Sequence, residues 1–235
     1  MLILSPYDVF EYVNEVDAVV NTINTHGFMG KGLAKEFSLR FPELLADYKA
    51  ACKNSKIKKG GDIWIWKGKY VLNEKEVTVI NFATKEDPFK PSRIEWIERG
   101  LVILINKIEE IGISSIALPK LGANLGRLRW DCVENKIVSY LGELQKLTVY
   151  VCLDLKAGRV EKKMLEAIFS QKEESAPFFS EELSHNEKAM DVVSKVRQII
   201  EETGAKPKRL RDVLKLPGVG DKTYVRLLKE LSSAI

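Results

Sequence analysis

The chain has 235 residues, of which 45% are hydrophobic and 30% charged, so its composition is that of a folded globular protein rather than a disordered one. The net charge of +4 at pH 7 permits a nucleic-acid partner without requiring one. Cys52, Cys132 and Cys152 lie far apart without a metal-binding spacing, which favours a reducing, cytoplasmic location and predicts no metal or cofactor. No secretory signal is recognised, and the longest apolar run, Leu101–Ile105, is too short to span a membrane.

Strand-like runs alternate with helical patterns over residues 1–155, which predicts one α/β domain with a parallel or mixed sheet covered on both faces. The predicted strands are Met1–Leu4, Val16–Asn21, Ile63–Trp66, Val77–Phe82, Ile113–Leu118 and Leu147–Leu153. The predicted helices are Lys31–Arg40, Pro42–Lys53, Ser92–Ile111 and Trp130–Leu144. The third helix has the clearest apolar periodicity and is expected to end at Gly112.

The pattern changes after residue 155. Residues 156–186 are predicted to hold a helix, Arg159–Phe169, that is compatible with packing on the first domain, and a linker, Gln171–Ser184. Residues 187–235 are predicted to form a small all-α domain from the helices Glu187–Thr203, Lys208–Leu214 and Asp221–Ser233.

Two glycine-containing loops connect predicted strands to the helices that follow them. Loop 1 spans residues 21–33, and loop 2 spans residues 121–128. Ligands of α/β sheets bind where strands end and helices begin, because exposed backbone N–H groups at a helix start attract phosphate. Either loop alone is equally compatible with a tight turn. The occurrence of two such loops at equivalent strand ends predicts a clamp for a diphosphate.

Lys85 follows the predicted strand Val77–Phe82 at its carboxyl end. A lysine that is desolvated or close to other cations gives up its proton more readily, and its amine then acts as a nucleophile. The alternative is a solvated lysine in a charged loop, because Glu86 and Asp87 follow it. His26, in loop 1, is interpreted as a loop residue rather than as a catalytic base.

Three segments resemble the macro domains of the DarG type, a branch that also includes the terminal ADP-ribose protein glycohydrolases. They are residues 20–37 (VNTINTHGFMGKGLAKEF), 80–85 (INFATK) and 118–130 (LPKLGANLGRLRW), in the order the family has them. The resemblance implies a three-layer α/β/α fold with a mixed sheet, an ADP-ribose cleft across the two loops, and Lys85 as the catalytic residue that removes ADP-ribose from its target.

The same resemblance assigns parts of the ligand to particular residues. Asp8 is expected near the adenine and Asn21 and Asn24 near the distal ribose, with residues 30–32 and 122–126 on the diphosphate. The full predicted set is Asp8, Asn21, Thr22, Asn24, Gly30, Lys31, Gly32, Leu33, Thr84, Pro119, Leu121, Gly122, Ala123, Asn124, Leu125 and Gly126.

Gly126 stands where the protein-directed glycohydrolases of this branch have an acidic residue, as it does in the DarG type. No carboxylate is available from that position for general acid–base catalysis. This favours a DNA-linked substrate over a glutamate-linked one, and it is also compatible with a binding module that has no activity. Ala123 and Asn124 replace the Cys-Gly pair of many relatives.

The segment 214–228 (LKLPGVGDKTYVRLL) resembles a helix–hairpin–helix element, in which a Gly-x-Gly turn offers backbone N–H groups to a DNA phosphate. The predicted DNA-binding residues are Gly218, Val219, Gly220, Lys222 and Thr223. Residues 187–235 contain 11 Lys and Arg against 7 Asp and Glu, which predicts salt-sensitive binding without sequence preference. A helical pair that docks on a protein is the alternative.

Taken together, these features predict an ADP-ribosyl glycohydrolase that acts on modified DNA, on a thymidine-type linkage in a single strand, in an antitoxin or repair role. Its expected partners are ADP-ribose or ADP-ribosylated DNA, DNA bound by the C-terminal domain, and a cognate ADP-ribosyltransferase. The alternatives are a hydrolase of ADP-ribosylated protein and a non-catalytic ADP-ribose reader tethered to DNA.

Overall fold

The computed structural model describes residues 1–170 and 191–234 and separates them into two units, the first ending at Gly158 and the second beginning at Arg159. The predicted linker, Gln171–Ser184, lies outside the described residues. None of the helices in the described ranges is long and apolar enough to cross a membrane.

The first unit contains six strands and four helices within residues 1–158. The strands are β1 (Leu2–Ser5), β2 (Ala18–Ile23), β3 (Ile63–Lys69), β4 (Glu76–Ala83), β5 (Ser115–Pro119) and β6 (Thr148–Cys152). The helices are α1 (Gly32–Arg40), α2 (Leu44–Lys53), α3 (Ile94–Ile111) and α4 (Trp130–Leu141), with a 3-10 turn at Val9–Tyr12. The predicted elements are all present, and their ends differ from the predicted ones by a few residues.

The sheet has the strand order β1-β6-β5-β2-β4-β3. Every neighbouring pair is parallel except β3 and β4, which form an antiparallel hairpin at the edge. The mixed sheet predicted from the sequence is therefore confirmed. Because the five parallel strands end at the same edge, the loops that follow β2, β4 and β5 meet there.

Successive residues along a strand point to opposite faces of the sheet, and helices cover both faces. On one face, α3 and α4 pack against a cluster that includes Val20, Phe82 and Leu118. Gly100 of α3 permits close contact there, since a Cβ on it would lie 2.1 Å from Cζ of Phe82. Gly112 ends α3 in the left-handed conformation (φ 68°), as the sequence predicts.

The opposite face is covered by α1 and α2 and has an aromatic core. The ring of Phe37 lies 5.7 Å from that of Phe41, which lies 5.2 Å from Tyr70 and contacts Trp66 edge-on. Tyr48 of α2 is fully buried. The three layers are thus helices, sheet and helices, as expected.

The second unit is helical. It contains α5 (Arg159–Phe169), α6 (Val192–Thr203) and α7 (Asp221–Leu231), and 3-10 turns at Leu210–Lys215 and Ser232–Ala234. The turn at 210–215 stands where an α-helix over 208–214 is predicted. The predicted helix at Glu187 is described only from Val192, where the carboxylate of Asp191 accepts the N–H of Ser194 at 2.8 Å.

Helix α5 belongs to the second unit, whereas the predicted all-α domain begins only at residue 187. The guanidinium of Arg197, on α6, donates to the carbonyl oxygens of Ile168 (2.8 Å) and Ala167 (3.3 Å) at the end of α5. Glu161 of α5 pairs with Arg209 at 2.9 Å. These contacts tie α5 to the later helices.

Candidate functional site

Loop 1, which joins β2 to α1, is held in shape by the side chain of Asn24. Its Oδ1 accepts the N–H groups of His26 (2.9 Å) and Phe28 (3.3 Å), and its Nδ2 donates to the carbonyl of Phe28 (2.7 Å). The hydroxyl of Tyr48 donates to the carbonyl of Asn24 and accepts its N–H at 3.2 Å. The loop is therefore preorganised, and the Asn24 amide is used within it.

The end of loop 1 presents the start of α1 to solvent. Gly30, Lys31 and Gly32 are exposed, and Leu33 is partly exposed. Lys31 occupies the N-cap position of α1 without a side-chain hydrogen bond to the first turn. The first N–H groups of the helix thus lack a capping side chain, which is the arrangement that suits an anion.

Loop 2, which joins β5 to α4, is closed by two backbone hydrogen bonds, from Leu128 N–H to Gly122 O (3.0 Å) and from Arg127 N–H to Asn124 O (3.1 Å). The N–H of Ser92 adds a bond to the carbonyl of Gly126 (2.9 Å). A Cβ on Gly126 would lie 2.1 Å from Gly122 O and 2.3 Å from Ser92 Oγ. The loop in this shape leaves no room for a side chain at position 126.

The two loops face each other across a narrow gap. Leu125 at the tip of loop 2 is 57% exposed, and its Cδ1 lies 2.9 Å from where a Cβ on Gly32 would stand. Gly32 has a φ of 59°, so both its backbone conformation and this contact favour glycine. The structure therefore brings together the two loops that the sequence predicts as a clamp.

Lys85 lies beside both loops, in the segment that follows β4. Its N–H donates to the carbonyl of Ile23 at 3.3 Å, and its Nζ donates to the carbonyl of Pro88 at 3.3 Å. The backbone carbonyl of the next residue, Glu86, accepts the N–H and the hydroxyl of Thr25 at 3.2 Å each. These contacts fix the lysine against loop 1.

Burial lowers the pKa of Lys85, and the positive charge of Arg127 in loop 2 lowers it further, while Asp87 acts in the opposite direction. A lowered pKa increases the fraction of Lys85 that is unprotonated at neutral pH. The arrangement thus places a lysine with a lowered pKa beside the two loops.

Several predicted ligand contacts are buried rather than exposed. Asn21 is fully buried, and its Nδ2 donates to Oδ1 of Asn81 on the neighbouring strand at 2.9 Å. Its Oδ1 has no hydrogen-bond partner among the described residues, and its contact with the distal ribose stays a prediction. The other predicted contacts without an open surface are Asn24, Thr84, Pro119, Leu121, Gly122 and Gly126, whose side chains or backbones shape the loops. The predicted residues with open surface are Thr22, Gly30, Lys31, Gly32, Leu33, Ala123, Asn124 and Leu125.

Asp8 follows β1 at the same edge of the sheet. Its Oδ1 accepts the N–H of Phe10 at 2.9 Å and caps the 3-10 turn. Cys152, which ends β6, has a raised pKa, because it is buried and because Asp8 and Asp154 carry negative charge near it. Asp8 therefore lies on the part of the edge formed by β1 and β6.

Sequence reasoning did not single out three residues that shape this site. Arg127 is quoted in the third motif without a role, Tyr48 anchors loop 1 from α2, and Asn81 pairs with Asn21. The basic residue after Gly126 is a sequence signal for the first. Nothing in the sequence pattern shows the contacts of the other two.

The predicted helix–hairpin–helix turn lies in the second unit. Gly218 (φ 74°) and Gly220 are exposed, Val219 is buried, and the Val219 N–H donates to Leu216 O at 3.2 Å. Gly220 is the N-cap of α7 and provides no side-chain cap. Lys222 is exposed and Thr223 half-buried in the first turn of that helix. In the described part of the chain, no group of three or more His, Cys, Asp or Glu is placed to hold a metal ion.

This cleft and fold agree with the comparisons with known proteins. The family model for the macro domain matches residues 20–137, and the chain belongs to the macro domain family. A DNA ADP-ribosyl glycohydrolase from Mycobacterium tuberculosis (strain ATCC 25618 / H37Rv) is 38% identical over 134 residues, which are 55% of this chain and 36% of the relative. The chain thus matches little more than a third of that protein.

Two further similarities were found. The solved macrodomain of Thermus aquaticus DarG aligns with a TM-score of 0.58 and 36% identity, covering 65% of this chain and 98% of that one. A DNA ADP-ribosyl transferase-DNA ADP-ribosyl glycohydrolase fusion protein from Thermosipho africanus (strain H17ap60334) is 27% identical over 164 residues, which are 64% of this chain and 42% of the relative.

Proposed function

We propose that the first unit binds ADP-ribose and removes it from modified DNA, so that the chain is an ADP-ribosyl glycohydrolase. The observation that carries the proposal is Lys85, whose amine has a lowered pKa and lies where loops 1 and 2 meet. The relatives named as DNA ADP-ribosyl glycohydrolases support the same activity.

In the proposed complex, the diphosphate lies between the two loops. The uncapped start of α1 at Gly30–Gly32 and the exposed tip of loop 2 at Ala123–Leu125 supply backbone N–H groups, and Lys31 adds a positive charge. Asp8 is placed at the adenine end, and Thr22 lies nearer the distal ribose. The Asn24 amide is used within loop 1. Asn21 donates through Nδ2 to Asn81, while its Oδ1 has no hydrogen-bond partner among the described residues, so its contact with the distal ribose stays part of the proposal.

The proposed reaction uses Lys85 as nucleophile. Its unprotonated amine attacks the anomeric carbon of the distal ribose, the bond to the modified base breaks, and the electron pair leaves with the base, which takes up a proton. The attacking nitrogen is left as an ammonium in the glycosyl–lysine intermediate. Water then attacks the same carbon, the carbon–nitrogen bond breaks with its electron pair going to the lysine, and the water gives up a proton as free ADP-ribose is released.

We further propose a thymidine-type linkage in single-stranded DNA as the substrate. Loop 2 has no carboxylate at position 126 and no room for one in its present shape, which sets this cleft apart from a glycohydrolase that relies on an acid there. The transferase fused to the Thermosipho relative supports an antitoxin role against a cognate DNA ADP-ribosyltransferase, in the cytoplasm.

Parallel assays on two substrates test this assignment. The full chain is incubated with an ADP-ribosylated thymidine oligonucleotide and with a glutamate-ADP-ribosylated peptide, and free ADP-ribose is measured. We expect release from the oligonucleotide and little from the peptide. The reverse preference would indicate a hydrolase of ADP-ribosylated protein. Tight ADP-ribose binding with no release from either substrate would indicate a reader without catalytic activity.

A further inference from the structure

A second charged surface lies beside the cleft, at the end of α2 and in the turn before β3. Residues 49–59 contain five lysines and no acidic residue, and all five lysines are exposed. Among the described residues, none of their ammonium groups has an ion-pair or hydrogen-bond partner. We call this set the lysine track: Lys49, Lys53, Lys56, Lys58 and Lys59.

The lysine track is joined to the cleft by direct packing. A Cβ on Gly27 of loop 1 would lie 3.5 Å from Cγ of Lys49, so loop 1 rests on the first lysine of the track. At its other end, the N–H of Gly60 donates to the carboxylate of Glu86 at 3.1 Å, and Glu86 follows Lys85. The track therefore borders the part of the cleft where the bond to the target is broken.

An aromatic pocket opens next to the same lysines. It has a volume of about 220 Å³ and is lined by α2, by the following turn, and by Trp64 and Trp66 of the edge strand β3. Trp66 is buried, and its indole N–H donates to the carboxylate of Asp47 at 2.7 Å. Trp64 is half-buried, lies against Tyr48 at 6.3 Å between ring centroids, and leaves part of its ring facing the pocket beside Lys56.

A row of unpaired lysines beside an open aromatic ring is the combination that holds single-stranded nucleic acid. The lysines bind the phosphates, and the ring stacks on an unpaired base regardless of the identity of that base. Duplex DNA does not fit this surface equally well, because its bases are already stacked and cannot enter the pocket. An acidic protein would use the lysines but would gain nothing from Trp64.

We propose that the lysine track and Trp64 hold the single-stranded polynucleotide on which the ADP-ribosyl group is carried, so that the macro unit itself grips the substrate strand outside the ADP-ribose cleft. The proposal rests on the proposed function, which supplies the modified strand as substrate. Single-strand binding at this surface is separate from catalysis and is tested without it.

The test measures binding of an unmodified oligothymidylate to the full chain at several salt concentrations. The variant replaces two track lysines (Lys53→Ala with Lys56→Ala). Its matched control replaces two exposed lysines that lie just before the starts of β4 and β6, at the other end of the parallel strands (Lys75→Ala with Lys146→Ala). Each phosphate contact on a single strand contributes about 0.7 to the slope of log K against log salt concentration. We expect the track variant to lose about 1.4 from this slope and the control to keep it.

Trp64 is tested separately. Trp64→Leu is expected to weaken oligothymidylate binding by at least about fivefold, whereas Trp64→Phe, which keeps an aromatic ring, retains most of it. Polyglutamate of similar length serves as an anion without bases and is expected to bind more weakly. Calorimetric affinity for free ADP-ribose, unchanged in all these variants, shows that the cleft is intact.

Two results would overturn the proposal. One is a track variant whose oligothymidylate affinity and salt slope equal those of the control, which includes the case of no binding by either. The other is equal affinity for oligothymidylate and polyglutamate with no effect of Trp64→Leu, which would make the surface a protein-docking site. Neither result bears on whether ADP-ribose is released from modified DNA, so a failure here is distinguishable from a failure of the proposed activity.

Discussion

At the scale of single residues, the proposed chemistry depends on the lowered pKa of Lys85. Burial contributes most to its lowered pKa, and the charge of Arg127 adds to it. Arg127 reaches this position from a left-handed backbone conformation (φ 62°), which is uncommon for a residue other than glycine. We infer from this unfavourable conformation, kept next to the proposed nucleophile, that the position of Arg127 is important for the site.

Replacement of Arg127 should change the pH dependence of the reaction. In Arg127→Ala, the pKa of Lys85 rises toward its ordinary value, so less of the amine is unprotonated at neutral pH and activity there falls several-fold. The acid limb of the pH–rate profile moves to higher pH, and activity recovers in alkaline buffer. Arg127→Lys keeps the charge and is expected to keep most of the profile.

The measurement is the single-turnover rate of ADP-ribose release as a function of pH for the wild type and both variants. A profile that is lowered uniformly, with its acid limb in place, would mean that Arg127 contributes to binding rather than to the ionisation of Lys85.

At the scale of elements, loop 2 is built so tightly that its glycines are structural. A Cβ at Gly126 meets backbone and the buried Ser92 side chain, whereas a Cβ at Gly30 in loop 1 meets no atom within 4 Å. These two glycines form a matched pair, since both are predicted near the diphosphate but only one is sterically closed.

Gly126→Ala is therefore expected to destabilise the fold by about 1–3 kcal/mol, because the loop must shift to accept the methyl group. Gly30→Ala is expected to change stability by less than about 0.5 kcal/mol. Urea denaturation of both variants measures the difference. An equal and small effect at both positions would show that loop 2 is looser than its hydrogen bonds indicate.

How much of this site was predictable differs between the loops and the side chains within them. The positions of loops 1 and 2 and of Lys85 follow from strand ends and glycine spacing, and the structure brings them together. The use of Asn21 and Asn24 inside the protein was not predictable, because it depends on Asn81 and Tyr48, which are distant in sequence. The approach of Arg127 to Lys85 depends on a backbone angle that the sequence pattern does not reveal.

At the scale of the whole molecule, each of the two units has its own proposed contact with nucleic acid. The second unit has the exposed Gly218 and Gly220 turn at the uncapped start of α7, and its DNA-binding residues remain a prediction. The bounds of α5 were predicted, but its grouping with the later helices was not, because that grouping depends on contacts such as those of Arg197.

Lys222→Ala, in the first turn of α7, should weaken binding of the full chain to duplex DNA at low salt and reduce the salt slope by about 0.9, the contribution of one phosphate contact. Lys229→Ala, in the last turn of the same helix, is the control and should leave the slope unchanged. Fluorescence anisotropy with a labelled duplex at several salt concentrations gives both slopes. Equal slopes would favour a protein-docking function for the helical pair.

The most direct test of the proposed mechanism is the rate at which ADP-ribose is released from a modified oligonucleotide by Lys85→Ala, with the exposed turn variant Lys75→Ala as control. We expect Lys85→Ala to lose activity by roughly 100-fold or more while it still binds ADP-ribose by calorimetry, and Lys75→Ala to match the wild type. Release by Lys85→Ala at the wild-type rate would contradict a nucleophilic lysine at the meeting point of the two loops.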